Sequence, residues 1–581
     1  MKKKILMIYP KFPVTYWSFK HSLPFIGKKA SFPPLGLLTV AAMLPDTYEV
    51  RVLDMNVEKL DERMIEAADM VFVSAMIIQK PSFEKVVAHC NRLGKTVVAG
   101  GPYPTSSHGE IKGVDHFVLN EAEITLPKFI SDYEAGTARP LYEDDAKPDI
   151  TATPAPRFDL IDVSHYSNML VQFSRGCPFM CEFCDIIEMY GRKMRTKTVD
   201  QFMRELDAVR GTGFRGGVFV VDDNFIGKKS EVKKLLGAMI SWQEEHGYPF
   251  TFFTEASINC AEDEELLALL SRAGFDMLFI GIETPDAAAL QSANKVQNLN
   301  IDLEESIRRI QARGIEVTGG FIVGFDTDDE TIFRRQIDFI QSAGIPVAMV
   351  GLLTALPNTR LHRRLKAEGR LVSGSTGNNT HDLRLNFRPV LNAESLIAGY
   401  KRIISRIYSP GQYFSRALKL LRNLPARKTS YRKVTGSQIR ALVRSLLFQT
   451  FSRYGLSYLA FLARSVMINI RLFPEAIGLA VKGHHLFTMT SEMRRVEAFE
   501  SMLASAKEKL KNRLSRIAAY DKKDLQRAAD AYAGLILARI RKRYRRLEED
   551  TRLYMNDRLG EFEAYCQNLV SGFKLDPVRA L

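Results

Sequence analysis

A chain of 581 residues, 46% hydrophobic and 25% charged, has an ordinary globular make-up but too much length for one core, so about two to four domains are expected. Its formal net charge of +14 is uneven: residues 401–581 carry 36 Lys and Arg against 15 Asp and Glu, residues 1–400 carry 45 against 52, and no acidic residue occurs from Ser395 to Pro474. Pro10 and Pro13 break the first apolar run at strand length, which argues against a secretory signal, and no run approaches the ~20 apolar residues that cross a bilayer. Six cysteines in such a chain read as reduced thiols of a cytoplasmic protein, not as disulfides.

Residues 1–142 alternate apolar runs with helical stretches. Lys4–Tyr9, Glu49–Asp54, Met70–Ala75, Thr96–Ala99 and His116–Leu119 read as buried parallel strands, with helices at Leu35–Met43, Glu62–Ala67 and Phe83–Leu93 between them. This is the pattern of a doubly wound, Rossmann-like α/β domain, whose ligands bind beyond the carboxyl ends of its strands. Pro33-Pro34-Leu-Gly36, Asp54-Met-Asn56, Ser74 and Gly100-Gly101-Pro102 fall at those ends. They are either plain sheet-end turns or a bed for a ligand that approaches the backbone closely. No Gly-x-Gly-x-x-Gly follows the first strand, which argues against a dinucleotide. Residues 143–164, with Thr153-Pro-Ala-Pro156, read as a linker.

From 165 to 372 six further apolar runs, Met169–Phe173, Val218–Val221, Thr251–Thr254, Leu278–Gly281, Gly320–Val323 and Ala348–Leu353, alternate with helices. Several helices end in Gly followed by a large apolar residue, as at Gly213-Phe214 and Gly274-Phe275, which fits a left-handed helix terminus before a strand. Six β/α units suggest a partial barrel with its chemistry at the C-terminal rim of the strands. Polar groups recur at that rim: Asp222-Asp223-Asn224, Glu255 with Ser257, Gly281-Ile-Glu283, Gly324-Phe-Asp326 and Thr354. Taken singly, Asp222 and Asp223 could cap a helix and Glu283 could pair with an arginine.

The loop after the first of these strands holds Cys177, Cys181 and Cys184, spaced Cys-x3-Cys-x2-Cys, with no fourth cysteine nearby. Three thiolates can hold three irons of a cubane that ordinarily takes four, leaving one iron open to a non-protein ligand. A structural zinc site would want a second Cys or His pair, which the sequence lacks.

Residues 373–581 read as basic and mostly helical, at Leu396–Tyr408, Tyr413–Asn423, Ser437–Tyr454, Leu459–Leu472, Ser491–Leu514 and Leu525–Arg558. Basic amphipathic helices suit anionic membrane surfaces or acidic partners, or are simply solvated faces.

Cys177-Pro-Phe-Met-Cys181-Glu-Phe-Cys184 resembles the signature of the radical S-adenosylmethionine (SAM) superfamily, and Pro33-Pro34-Leu-Gly36 with Val98-Ala-Gly-Gly-Pro-Tyr-Pro104 resembles the cobalamin-binding domain of one large branch. Cys184-Asp-Ile-Ile-Glu-Met-Tyr-Gly191, Val221-Asp-Asp-Asn-Phe-Ile-Gly227, Phe253-Thr-Glu-Ala-Ser257 and Gly351-Leu-Leu-Thr-Ala-Leu-Pro357 are similar to the subgroup of hopanoid C-2 methylases. The resemblance implies a 4Fe–4S cluster on Cys177, Cys181 and Cys184, SAM near Asp222, Asp223, Glu255 and Glu283, and cobalamin near Pro34, Ser74, Gly100 and Gly101. It implies methylation of an unactivated carbon through a 5′-deoxyadenosyl radical and methylcobalamin, on a small-molecule or lipid substrate, with a flavodoxin or ferredoxin as electron donor. It fits a cytoplasmic enzyme, peripheral on the inner membrane face through its basic C-terminal helices; nucleic acid is not expected. One departure stands out: where cobalt-ligating domains carry Asp-x-His-x-x-Gly, this chain has Asp54-Met-Asn56-Val-Glu-Lys59. The competing readings are radical carbon–carbon coupling or ring formation without methyl transfer, and a basic adaptor with a structural metal. A methylthiotransferase would need a second cysteine trio, and the first domain has only Cys90.

Overall fold

The structure, a computed structural model, describes residues 2–378, 380, 383–425, 436–518, 525–547 and 549–575. The chain forms two compact units, Met1–Leu486 and Phe487–Leu581, whose boundary falls inside the helix Phe473–Ala518.

The first unit holds two six-stranded parallel sheets. In the first, β1 (Lys3–Tyr9), β2 (Tyr48–Asp54), β3 (Met70–Ser74), β4 (Thr96–Gly100), β5 (His116–Val118) and β6 (Leu141–Tyr142) run in the order β2-β1-β3-β4-β5-β6. Strands β1 and β3 are apolar on both faces, as burial between helix layers requires: Ile5–Ile8 and Met70–Val73 are all buried. Against one face the core gathers Phe83, Val86 and Cys90 from the helix Lys80–Arg92. The two-residue edge strand β6 escapes a search for apolar runs; it pairs with Phe117 and Val118 through its backbone alone.

The second sheet is built from β7 (Asn168–Val171), β8 (Gly216–Val220), β9 (Phe250–Ala256), β10 (Phe275–Glu283), β11 (Glu316–Val323) and β12 (Ala348–Leu352), laid side by side in sequence order. All six expected strands form, each within a few residues of its expected ends, and the all-parallel sequential order is the partial (β/α)6 barrel. The helix Glu264–Ala273 ends on Gly274 at φ 94°, the left-handed terminus read from the sequence.

Helices Ala393–Ile407 and Pro410–Asn423 seat on the far edge of this barrel. Arg416, fully buried, donates from Nε to Ile345 O (2.9 Å) and from Nη1 to Gln341 Oε1 (2.5 Å), while Tyr408 OH donates to Ala348 O (2.5 Å). Helices Gly436–Thr450 and Gly455–Asn469 follow.

Three expectations for this region are corrected. The expected break between Leu472 and Ser491 is absent, because Phe473–Ala518 is one helix with Pro474 tolerated in its first turn. The expected single helix Leu525–Arg558 is two, Leu525–Tyr544 and Glu549–Leu575. Folding back buries Ala529, Ala533 and Ile540 against Met555, Phe562 and Cys566, which one straight helix would leave in water. Finally, the stretch Gly455–Arg516 contains an 18-residue window of mean hydropathy 1.3, apolar enough by length and composition to cross a membrane; its scattered charges hide it from a search for an unbroken apolar run.

Candidate active site

The thiol loop is held from beneath. It leaves β7 through Ser174–Arg175, which pairs antiparallel with Arg195–Thr196 on the return. Asp222, just after β8, accepts from Phe173 N (2.8 Å) and Ser174 Oγ (2.5 Å), and burial pushes its carboxyl up to about 6. Both of its oxygens are therefore taken by the chain leading into the thiols. Gly176, at φ 94°, permits the loop to cross itself: a Cβ there would sit 2.8 Å from Gly191 O.

Around the thiols stand amides. Asn224 Nδ2 points at Cys177 Sγ from 4.0 Å and also donates to Ser257 Oγ (3.3 Å), while Gln297 Nε2 donates to Cys181 Sγ at 3.6 Å. Burial raises the thiols of Cys177 and Cys184 above the usual range. Among the described residues no three His, Cys, Asp or Glu side chains converge tightly enough to hold a single ion. Thiols spread along one loop and flanked by N–H donors suit instead the separate corner irons of a sulfide cluster, whose sulfurs accept such bonds.

Beside them lies a charged rim. Glu283 ends β10 in the left-handed region (φ 64°) and its Oε1 accepts from Lys295 Nζ over 2.6 Å, both side chains nearly buried. Gly281 makes this possible, since a Cβ there would fall 2.6 Å from Glu283 Oε1 and 2.8 Å from Lys295 Nζ. Asn298 donates to Gly281 O (2.9 Å) and Ile282 O (3.0 Å), fixing the strained strand end. Glu255, from β9, has no hydrogen-bond partner among the described residues, and burial, with Asp223 adding, pushes its carboxyl up to about 7. Asp223 accepts from Gly176 N (3.0 Å) and is also raised to about 7, by burial first and then by Asp222 and Asp185. Two carboxyls poised near neutrality, one without a partner, suit a cationic ligand that would ionise them.

Between the two sheets lies a cavity of about 530 Å³. One wall is the carboxyl edge of the first sheet, where Pro34, Ser74, Gly100 and Gly101 come together; the other is the barrel mouth, with Leu170, Gln172, Phe219 and Asp223. The glycines are needed for space: a Cβ on Gly101 (φ 90°) would lie 2.5 Å from Ser74 Oγ, and one on Gly100 2.8 Å from Val118 O. Asp222, Glu255, Glu283 and the three cysteines do not line this cavity. At the departure from Asp-x-His-x-x-Gly, Asn56 Nδ2 donates to Asp54 Oδ1 (2.6 Å), its Oδ1 accepts from Phe12 N (2.9 Å), and Tyr166 OH donates to Asp54 Oδ2 (3.0 Å). That turn is closed on itself, and no histidine among the described residues lines the cavity.

Family models match in three places: a B12 binding domain over residues 29–130, the radical SAM superfamily over residues 171–340, and a domain of unknown function (DUF4070) over residues 359–498. An uncharacterised methyltransferase of Synechocystis is 42% identical over 443 residues, covering 76% of this chain and 83% of that one. The hopanoid C-2 methylase of Rhodopseudomonas palustris is 33% identical over 512 residues, covering 85% and 95%. Among solved structures, the radical SAM methyltransferase TsrM from Kitasatospora setae, with cobalamin and a 4Fe–4S cluster bound, superposes with a TM-score of 0.56 at 15% identity over 72% of this chain and 96% of its own. OxsB, with aqua-cobalamin and SAM, gives 0.55 at 15% identity over 85% and 80%. These two likenesses concern the fold. The chain is thus a radical SAM enzyme with a B12-binding domain. It belongs to the family of cobalamin-dependent radical SAM methyltransferases that includes hopanoid C-2 methylase, and its cofactors are a 4Fe–4S cluster, SAM and cobalamin.

Lys295, Gln297, Asn298 and Arg175 escaped the sequence reading. The first three sit in the polar run Asn294-Lys-Val-Gln-Asn298, within a short turn no periodicity marks; Arg175 lies two residues before Cys177, and only its burial reveals it.

Proposed function

We propose that this enzyme methylates an unactivated carbon of an apolar small molecule, a lipid among them, within the cavity between its two sheets. The observation that carries the reading is that cavity: its first wall gathers all four residues expected at cobalamin, and its second opens on the barrel mouth through apolar Leu170, Phe219 and Val221. When bound, the cofactors supply a cobalt-borne methyl group and, by reductive cleavage of SAM, a radical that removes a hydrogen atom from carbon.

The protein's part is placement. Cys177, Cys181 and Cys184 hold the cluster, with Asn224 and Gln297 donating toward two of the sulfurs. Glu255, Asp223 and Glu283 face SAM, the first offering an unpaired carboxyl to its cationic end; Asp222 positions the thiol loop. Pro34, Ser74, Gly100 and Gly101 admit the corrin closely. The apolar walls, with Leu170, Phe219 and Val221, exclude water and suit an apolar substrate held between the two cofactors. A flavodoxin or ferredoxin supplies the electron, and the enzyme works in the cytoplasm with a peripheral hold on the membrane that stores its substrate.

The test is anaerobic reconstitution with iron and cobalamin quantified, followed by turnover with methyl-labelled SAM and an apolar polycyclic acceptor. Label in the product supports the reading. Deoxyadenosine formed without transferred label overturns it in favour of coupling or ring formation.

A further inference from the structure

Of the 17 large hydrophobic side chains that stand exposed among the described residues, 11 fall between positions 439 and 470. They are not scattered. On the helix Gly436–Thr450, Ile439, Val443 and Leu447 recur at every fourth position, and Phe451 continues the row just past its end; on Gly455–Asn469, Leu456, Leu459, Val466 and Met467 follow at steps of three, seven and one, which return to the same side of a helix. Such spacing puts each set on one helix face. Phe451, Leu456 and Met467 are 86%, 87% and 84% exposed, with no packing among the described residues to cover them.

The opposite faces are firmly seated. Phe461 stacks on Phe414 with centroids 4.7 Å apart, Ser445 and Tyr458 hydroxyls meet at 2.9 Å, and Arg444 donates to Pro24 O. The tight join between the helices leaves no room for a Cβ on Gly455, which would lie 2.0 Å from Thr450 O. The two helices therefore form a fixed pair with an apolar outer side, framed by exposed Arg440, Arg453, Arg464 and Arg471.

We propose that this helix pair is the docking face of the enzyme for the surface of an anionic phospholipid bilayer. The inference rests on the apolar-substrate reading for its purpose, since a membrane is where such a substrate is dissolved, but not for its geometry. Charge selects the partner. With no Asp or Glu from Ser395 to Pro474, the segment supplies no carboxylate to neutralise its arginines, so a second copy applied to the same face would set arginine against arginine. Nucleic acid would satisfy the arginines and leave Leu456, Met467 and Val466 against a polar backbone. A headgroup layer over hydrocarbon accepts both kinds of group at once: aliphatic and aromatic tips enter the acyl boundary while guanidinium groups meet phosphate. Although Gly455–Arg516 is long and apolar enough for a span, a peripheral seat fits its first helix, Gly455–Asn469, better, because the inner side of that helix, with Tyr458, Phe461, Leu462 and Ser465 buried, is committed to the protein.

The test uses the full-length enzyme in cosedimentation with vesicles of phosphatidylglycerol and phosphatidylcholine in equal parts, and with phosphatidylcholine alone. The wild type is expected to bind the mixed vesicles and to bind the neutral ones at least about tenfold less. Two independent variants, Phe451→Ser/Leu456→Ser/Met467→Ser and Arg464→Glu/Arg471→Glu, are each expected to weaken binding about tenfold or more, with iron and cobalamin content unchanged as the check on folding. Binding unaltered in both variants, or absent in the wild type, overturns the proposal. So does resistance to alkaline carbonate extraction, which would mean a span, or a wild-type dimer that the triple variant dissociates, which would mean self-association. Failure of the substrate reading looks different: an enzyme that binds anionic vesicles yet labels only a water-soluble acceptor sinks the lipid substrate and leaves the docking face standing.

Discussion

Arg175 Nη1 donates to Glu121 Oε2 across 2.7 Å, so the loop that carries the thiols is clamped to the helix bordering the cavity of the other sheet. The same guanidinium reaches Glu123 (2.8 Å), and Arg195 closes on Glu121 from the return strand (2.8 Å). All four side chains are nearly buried, so solvent screens them little. The bond couples the radical SAM domain to the B12-binding domain.

Replacing Arg175 by Met leaves Glu123 buried with Thr153 as its remaining polar partner. Such loss of one member of a buried pair costs about 3–5 kcal/mol. We expect a lower denaturant midpoint and a fall in both iron and cobalamin content. Arg175→Lys keeps the charge but not the fork, and should fall between. A variant that lost iron while holding cobalamin normally would show that the clamp does not couple the two.

Glu255 gives a pH signature. Its carboxyl is raised from 4.5 to about 7 by burial, so the folded apoenzyme holds a proton there that the unfolded chain releases. The stabilisation from that difference is fully present below the unfolded value and is lost as pH rises through about 7. The apoenzyme should therefore melt at lower temperature at about pH 8 than at about pH 5, and Glu255→Gln should remove part of that decline, on the order of a few degrees. SAM binding should run the other way, tightening as pH rises because the ionised carboxylate receives the cation. Calorimetric titration of wild type and Glu255→Gln at both pH values checks this; equal pH dependence in the two would remove Glu255 from the SAM site.

What the sequence disclosed follows from which signals are local. Buried parallel strands announce themselves as apolar runs, so eleven of the twelve strands of the two parallel sheets were legible, and the two-residue β6 was not. Cys177, Cys181 and Cys184 were legible from spacing alone. Pro34, Ser74, Gly100 and Gly101 were placed at strand ends, and their meeting in one cavity needed only a parallel sheet. Asp222 shows the limit: its position at the rim was visible, but its carboxylate turns down to Phe173 and Ser174, a choice set by distant backbone. Lys295 is invisible for the same reason, since its meaning comes from Glu283, 12 residues away across a turn. The four helices between Ser395 and Leu472 were found, but which face each buries depends on the barrel beneath, so the exposed row from Ile439 to Met467 could not be read in advance.

Gly281→Ala probes the charged rim. The added methyl would fall 2.6 Å from Glu283 Oε1 and 2.8 Å from Lys295 Nζ, so the pair must part or the strand end must shift. Overpacking of this kind costs about 1–3 kcal/mol. SAM affinity should drop about tenfold or more while cobalamin content stays near wild type, because Gly281 does not line the cavity. Equilibrium dialysis with SAM beside a cobalamin absorbance spectrum reads both.

Gly101→Ala is the mirror experiment. At φ 90° an alanine is strained in itself, and its Cβ would sit 2.5 Å from Ser74 Oγ and 3.4 Å from Ala75 N, on the cavity wall. The serine must move to admit the methyl, and Ser74, Ala75 and Gly101 all line the cavity, so the change falls on its wall. We expect cobalamin content to fall severalfold while the iron–sulfide absorbance is kept, since the thiol loop lies on the other sheet and is held by Asp222 and Asp223. Ser74→Ala in the same background relieves the clash and should restore part of the cobalamin. Were Gly101→Ala to lose iron and keep cobalamin, the assignment of this wall to the corrin would be wrong. Taken with Gly281→Ala, the two substitutions separate the cavity from the rim, each by the space a single methyl group occupies.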